Sequence, residues 1–223
     1  MTAPTPTARP APAAAPRPEF DSLGTRHLTG RPGRTVALTF DDGPEPTYTP
    51  QVLAILGEYG VTAMFCVTGE RVREHPEIVR QIHAGGHALC NHTVTHDLDL
   101  RHRPDRVIHD EIGGALAAIH EVVPGADVTH FRAPGGYFAP NVNVVAEHYG
   151  HTPLGWSVDP QDWREPGPAA IRSHVVDAIH AEAVVLLHDA GQDGADRSGT
   201  VAALPGIIEA LDELGYAFVL PAR

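Results

Sequence analysis

Thr35-Val-Ala-Leu-Thr-Phe40 running into Asp41-Asp42-Gly43-Pro44 decides the fold. Six residues rich in β-branched and aromatic side chains stop at two carboxylates and a Gly-Pro turn. A buried strand that delivers polar groups at its carboxyl end has this form. The pattern recurs downstream. A strand expected over 87–91 runs into His92-Thr93-Val94-Thr95-His96, one over 128–132 ends at Arg132, one over 152–158 stops before Asp159, and one over 183–188 ends at His188. Chemistry-bearing residues gathered from several successive strand ends are the layout of a parallel α/β barrel.

Helical spacing fills the intervals. The pattern predicts helices over 50–59, 76–84, 104–122, 141–148, 168–181 and 200–214, with further strands over 61–67 and 216–220. Val52, Ile55, Leu56 and Tyr59 fall on one stripe, as do Ile108, Ile112, Ala115 and Ile119, and Leu204, Ile207, Ile208 and Leu211. The Ala-Val-Val-Leu-Leu run of 183–187 suits a strand buried on both faces. Such alternation implies a parallel sheet with helices outside. An open doubly wound sheet concentrates its site at one switch point; functional residues spread over five strand ends favour closure. The expected fold is therefore α/β, a distorted (β/α) barrel of about seven parallel strands, similar to a TIM barrel.

The 223 residues suffice for one good-sized core. A formal net charge of -12 argues against nucleic acid and against docking on anionic lipid. No apolar run approaches a membrane span, and no signal peptide is visible. Residues 1–30, dominated by Ala, Pro and Thr up to about 18, are assigned to a disordered tether, and 31–223 to the catalytic domain. A tether of this composition points to an exported, extracellular or cell-surface protein. The two cysteines, Cys66 and Cys90, sit near predicted strand ends as buried side chains; a bridge between them stays open if those strands are neighbours.

His92 and His96 are four apart, and in a helical turn such a pair shares a face and can reach one ion. With fifteen histidines in the chain the pair alone says little; His75, His83, His120, His148 and His180 read as solvated groups on or beside helices. An open zinc site takes three protein ligands, and Asp41 or Asp42 can supply the third. Adjacent residues at a strand end point in different directions, so one aspartate can bind metal while the other acts as a base. Asp-Asp-Gly-Pro in isolation is a solvated turn; the apolar strand before it changes that reading. A buried Arg132 beside a carboxylate would keep it ionised, and Pro134-Gly135-Gly136 exposes backbone N–H groups that suit an oxyanion. Trp163 reads equally as a groove wall or as core. His188, at the end of a buried strand, suits a general acid tuned by an acidic neighbour.

Five ordered motifs carry a resemblance: Thr39-Phe40-Asp41-Asp42-Gly43, His92-Thr93-Val94-Thr95-His96, Arg132-Ala133-Pro134-Gly135-Gly136, Asp159-Pro160-Gln161-Asp162-Trp163 and Leu186-Leu187-His188. Together they resemble the polysaccharide deacetylases of carbohydrate esterase family four, over about 34–220. The resemblance implies Asp41 as catalytic base and Asp42, His92 and His96 as ligands of one divalent metal, usually zinc, with cobalt or nickel as alternatives. It implies Arg132 orienting Asp41 and His188 as general acid, tuned by an aspartate of the fourth motif, with Asp159 expected ahead of Asp162. Gly135, Tyr137 and Trp163 are implied in substrate binding. Where the family often has an aromatic residue after the proline of the third motif, this chain has Gly135; Tyr137, two residues on, is the candidate replacement.

The implied reaction is N-deacetylation of N-acetylglucosamine-containing glycans, chitin oligosaccharides or peptidoglycan, by a monomer whose partner is a carbohydrate polymer or oligomer. Three alternatives stay open on sequence: O-deacetylation of acetylxylan by the same site, hydrolysis of small cyclic amides on a related barrel, and a non-catalytic carbohydrate-binding module.

Overall fold

The computed structural model describes residues 19–191 and 194–223. Seven strands form one sheet in which every pairing is parallel: β1 (Thr35–Asp41), β2 (Met64–Val67), β3 (Ala88–Asn91), β4 (His130–Phe131), β5 (Thr152–Pro153), β6 (Ala183–His188) and β7 (Ala217–Phe218). Their order is β5-β4-β3-β2-β1-β6, with β7 added to the start of β1. The helices are α1 (Thr49–Tyr59), α2 (Gly69–Glu74), α3 (Pro76–Ala84), α4 (Asp105–Val122), α5 (Pro140–His148), α6 (Pro168–Ala178) and α7 (Ser198–Glu213). The expected distorted barrel is thus present, but incompletely closed.

The opening lies in the predicted strand 152–158. Its first residues pair with β4, while Val158 bridges β6 at Val185, so one segment touches both edges of the sheet. Between them, residues 154–156 leave the ladder. Their carbonyls find other donors, as buried backbone must: Arg132 Nε donates to Leu154 O and Nη2 to Gly155 O, each at 3.0 Å.

The same opening corrects the boundary at residue 30. Residues 1–18 of the expected tether lie outside the described residues, but 19–30 pack on the barrel. Arg26 N–H donates to Pro153 O, and Gly155 N–H to Arg26 O. Leu28 bridges Ala183, and Thr25, Arg26, Leu28 and Thr29 are buried. The segment fills the gap with backbone hydrogen bonds, which composition does not register.

Strand parity sorts the core into two layers. Val36, Leu38 and Phe40 of β1, Phe65 and Val67 of β2, and Val185 and Leu187 of β6 face outward and pack with α1, α3, α4, α6 and α7. The alternate residues Ala37, Met64, Cys66, Cys90 and Val184 fill the interior with Leu154. Cys66 and Cys90 are opposite in register, buried and free. Predicted apolar stripes meet the core where expected: Ile108, Ile112, Ala115 and Ile119 on α4, and Leu204, Ile207, Ile208 and Leu211 on α7. The short α2, Gly-Glu-Arg-Val-Arg-Glu, has no apolar stripe to reveal it and was not expected from sequence.

Candidate active site

The interior parity that places Ala37 inward places Thr39 and then Asp41 above it. On β6 it runs Val184, Leu186, His188; from β3 it runs Cys90, His92; from β4 it runs His130, Arg132. The inward column of each strand therefore starts small, apolar or neutral and ends in a functional group at the carboxyl rim. At that rim a groove of about 350 Å³ opens. Asp41, Asp42, His92, His96 and His188 line its floor, and Leu98, Gly135, Tyr137, Trp156, Asp159 and Trp163 contribute to its sides.

Arg132 is fully buried and joins the strands. Its Nη1 donates to Asp41 Oδ1 at 2.6 Å and to Thr39 Oγ1 at 2.9 Å, while its other nitrogens serve the two carbonyls of the barrel opening. Burial pushes its pKa down, but Asp41 outweighs this and raises it, so the guanidinium stays charged. One Asp41 oxygen is thereby fixed, and Oδ2 lies on the side of His92, 3.9 Å from its Nε2.

Asp42, His92 and His96 offer ligand atoms within 4.8 Å of one another. His92 Nδ1 donates to Arg132 O at 2.8 Å, which fixes the tautomer and turns the Nε2 lone pair toward Asp42. His92 Nε2 lies 3.4 Å and His96 Nε2 3.2 Å from Asp42 Oδ1, a buried oxygen with no hydrogen-bond partner. Burial and the neighbouring His92 push His96 down to about 4, so it is neutral at pH 7. Burial raises the Asp42 pKa, but the imidazoles around it, His92 and His188 foremost, outweigh this and hold the carboxyl well below the usual range. Two imidazole nitrogens and one carboxylate around an orphaned buried oxygen fit the donor set of an open zinc-type site.

The histidine motif is not the helical turn expected from its spacing. Residues 92–96 form a loop in which Thr93 (φ 66°) and His96 (φ 58°) take left-handed backbone conformations. Side chains hold it there. Asn91 Oδ1 accepts from Thr93 N–H, Thr93 Oγ1 accepts from His96 N–H, and Glu111 of α4 accepts from the N–H groups of Val94 and Thr95.

His188 pairs with Asp162, not with Asp159. Its Nδ1 is 2.7 Å from Asp162 Oδ1, and its backbone N–H donates to Oδ2 at 2.8 Å. Thr200 Oγ1 of α7 also donates to Oδ2. Burial pushes the His188 pKa down; the hydrogen bond and charge of Asp162, with Asp42 and Asp41 behind them, raise it to about 9. Asp159 caps its own turn by accepting from Gln161 N–H at 2.8 Å. The 3-10 turn Asp162–Arg164 then carries Asp162 back beneath β6 while Asp159 stays on the groove side. In this chain the second aspartate of the motif is the inward one, because of that turn.

Gly135 stands in the turn Pro134–Gly136, where the N–H groups of Gly136 and Tyr137 are used on Ala133 O and Pro134 O. Tyr137 and Trp163 are 47% and 45% exposed in the groove, so neither is core. Sequence reading passed over Trp156, whose ring lies in the groove under Gly136, and Thr39, which links Arg132 to Val185 O. Inward parity with Asp41 is the signal that could have found Thr39.

A family model described as polysaccharide deacetylase matches residues 29–154. A chitooligosaccharide deacetylase of Sinorhizobium fredii (strain NBRC 101917 / NGR234) is 38% identical over 205 residues, 89% of this chain and 95% of its own length. A peptidoglycan-N-acetylglucosamine deacetylase of Bacillus cereus is 40% identical, over 83% of this chain and 85% of its own. Among solved structures, a CE4 family pseudoenzyme from Bacillus anthracis superposes with a TM-score of 0.80 at 28% identity, over 88% of this chain and 67% of that one.

Proposed function

The chain belongs to the polysaccharide deacetylase family, and from that premise we propose that it is a metal-dependent N-deacetylase of N-acetylglucosamine-containing glycans, chitin oligosaccharides or peptidoglycan, releasing acetate. One observation carries the reading. An Arg132-held Asp41, an Asp162-held His188 and the Asp42–His92–His96 triad open on a single groove.

A divalent ion held by Asp42, His92 and His96, with zinc the first choice, would supply Lewis acidity to an amide carbonyl. Asp41, with one oxygen fixed by Arg132, uses the other to take a proton from the attacking water. The water oxygen bonds to the carbonyl carbon, and the Gly135 N–H would donate to the resulting oxyanion. His188, kept protonated by Asp162, gives its Nε2 proton to the nitrogen as the C–N bond breaks. That help is required because an amide anion is too poor a leaving group. Acetate and a free amine on the sugar result. Tyr137 and Trp163 supply apolar surface for pyranose rings. A polymeric glycan substrate, like that named for the peptidoglycan deacetylase relative, favours work outside the cell or at its surface.

A second reading, a non-catalytic glycan-binding module, is favoured by likeness to a pseudoenzyme. Acetate release from an N-acetylglucosamine tetramer by zinc-loaded protein, beside a chelated sample and acetylxylan, separates them. Zinc-dependent release from the tetramer supports the N-deacetylase, and release from acetylxylan alone moves the assignment to ester cleavage. Tetramer binding without any release establishes the module instead.

A further inference from the structure

Gly135 and Gly136 both take left-handed backbone conformations, φ 61° and 70°, and the space beside each is already taken. A Cβ on Gly135 would meet the Tyr137 ring at 2.9 Å and Leu98 Cδ2 at 3.1 Å; one on Gly136 would meet Trp156 at 2.5 Å. The Tyr137 ring thus occupies the place of a residue-135 side chain. The ring is nearly half exposed. The Arg101 guanidinium carbon lies 4.2 Å from the Tyr137 ring centroid. Arg101 makes no ion pair among the described residues; its Nε donates to His102 Nε2 at 3.1 Å, its Nη1 is buried without a hydrogen-bond partner, and the guanidinium lies over the ring face. Its backbone is pinned from two sides: neighbouring Leu100 is buried with Phe131 and Ala133, and Arg101 O accepts from Asn141 Nδ2 of α5 at 3.1 Å.

We propose that Arg101 is a positioning residue that holds Tyr137 over Gly135 as a preformed wall of the groove, and so sets affinity for an extended glycan. This rests on the deacetylase reading for its substrate. Ordering a side chain in advance removes that cost from binding without touching the reacting atoms. The pair therefore governs KM for oligomers and leaves kcat alone. Arg101 acts only through the ring, so its loss adds nothing once the ring is gone.

The test is a double-variant cycle, Arg101→Ala, Tyr137→Ala and both together, with Arg101→Lys as the conservative variant. Zinc-loaded proteins are assayed on the N-acetylglucosamine tetramer and on a small activated acetate ester, with tetramer binding measured by calorimetry. Arg101→Ala should raise the tetramer KM about fivefold, the size of one cation–π contact at a partly exposed site, with kcat within twofold. The double variant should match Tyr137→Ala, Arg101→Lys should recover part of the affinity, and ester cleavage by the two Arg101 single variants should be unchanged. An unchanged tetramer KM, a fall in kcat instead, or effects that multiply in the double variant would overturn the proposal. A wild type that binds the tetramer without releasing acetate would sink the deacetylase reading alone, and the cycle would then be read in Kd. A wild type that neither cleaves nor binds it overturns both.

Discussion

The two faces of β1 are built from the same seven residues and do opposite things. Outward, Val36, Leu38 and Phe40 are buried against the helices and make no specific polar contact. Inward, Ala37, Thr39 and Asp41 rise from apolar to ionised, each polar group fixed by a partner: Thr39 to Val185 O, and Asp41 to Arg132. Side-chain direction alternates with each residue, so one strand supplies core on one side and site on the other. Stability and chemistry are thus divided by parity, and Arg132 is where they rejoin: it carries the Asp41 contact and also closes the barrel opening.

Arg132→Ala is the harshest way to break that division. It leaves the buried Asp41 carboxylate and two backbone carbonyls without their partner, at about 3–5 kcal/mol, and should abolish turnover as well; denaturant melts and acetate release on one preparation check both. Phe40→Ala sharpens it from the other side. Emptying the outward face should cost about 3–5 kcal/mol in unfolding free energy, while the protein that remains folded at low temperature keeps near-normal kcat.

The foot of the inward column gives a pH test. Burial pushes His130 down to about 4 from 6.5, so its folded-state pKa is depressed. Its neutral form is favoured on folding, and the stability it contributes is present above pH 6.5 and lost as pH falls toward 4. The loss approaches about 3 kcal/mol, because each tenfold fall in proton affinity on folding is worth about 1.4 kcal/mol. His87 and His151, also lowered by burial, add in the same direction. Urea melts across that window should show a shallower slope in His130→Gln. An unchanged slope would mean that the column's foot is already wet.

The smallest effect separates two aspartates. Asp162→Asn should cut turnover about 100-fold, within the range of a general acid's contribution, whereas Asp159→Asn should change it only a few-fold. His188 is raised to about 9, so it stays protonated, and the stability of its pairing is kept, below 6.5; that stability is lost as pH rises through 9. In Asp162→Asn the alkaline limb of activity should move to lower pH. A larger loss in Asp159→Asn would reverse the assignment.

Much of this was legible in the sequence for physical reasons. Long apolar runs that end in charge, such as Val36 to Asp41 and Val184 to His188, mark buried strands whose register follows from alternation alone. What stayed hidden depends on backbone turns that leave the regular periods. Asp159 and Asp162 are exchanged by a turn capped by Asp159 itself, with Gln161 at φ 55°. The loop 92–96 brings its histidines together through positive φ angles and a clamp from Glu111, seventeen residues after Val94. Residues 19–30 look like linker because their buried side chains, Thr25, Arg26, Leu28 and Thr29, follow neither the helical nor the strand period.

In the proposed mechanism Asp41 and Asp42, adjacent in sequence, divide proton transfer and metal binding between them. Zinc stoichiometry and acetate release measured side by side on Asp41→Asn and Asp42→Asn test it most directly. Asp41→Asn should hold one equivalent of zinc with turnover down about 1,000-fold, and Asp42→Asn should lose the metal. Zinc retained by Asp42→Asn and lost by Asp41→Asn would contradict it.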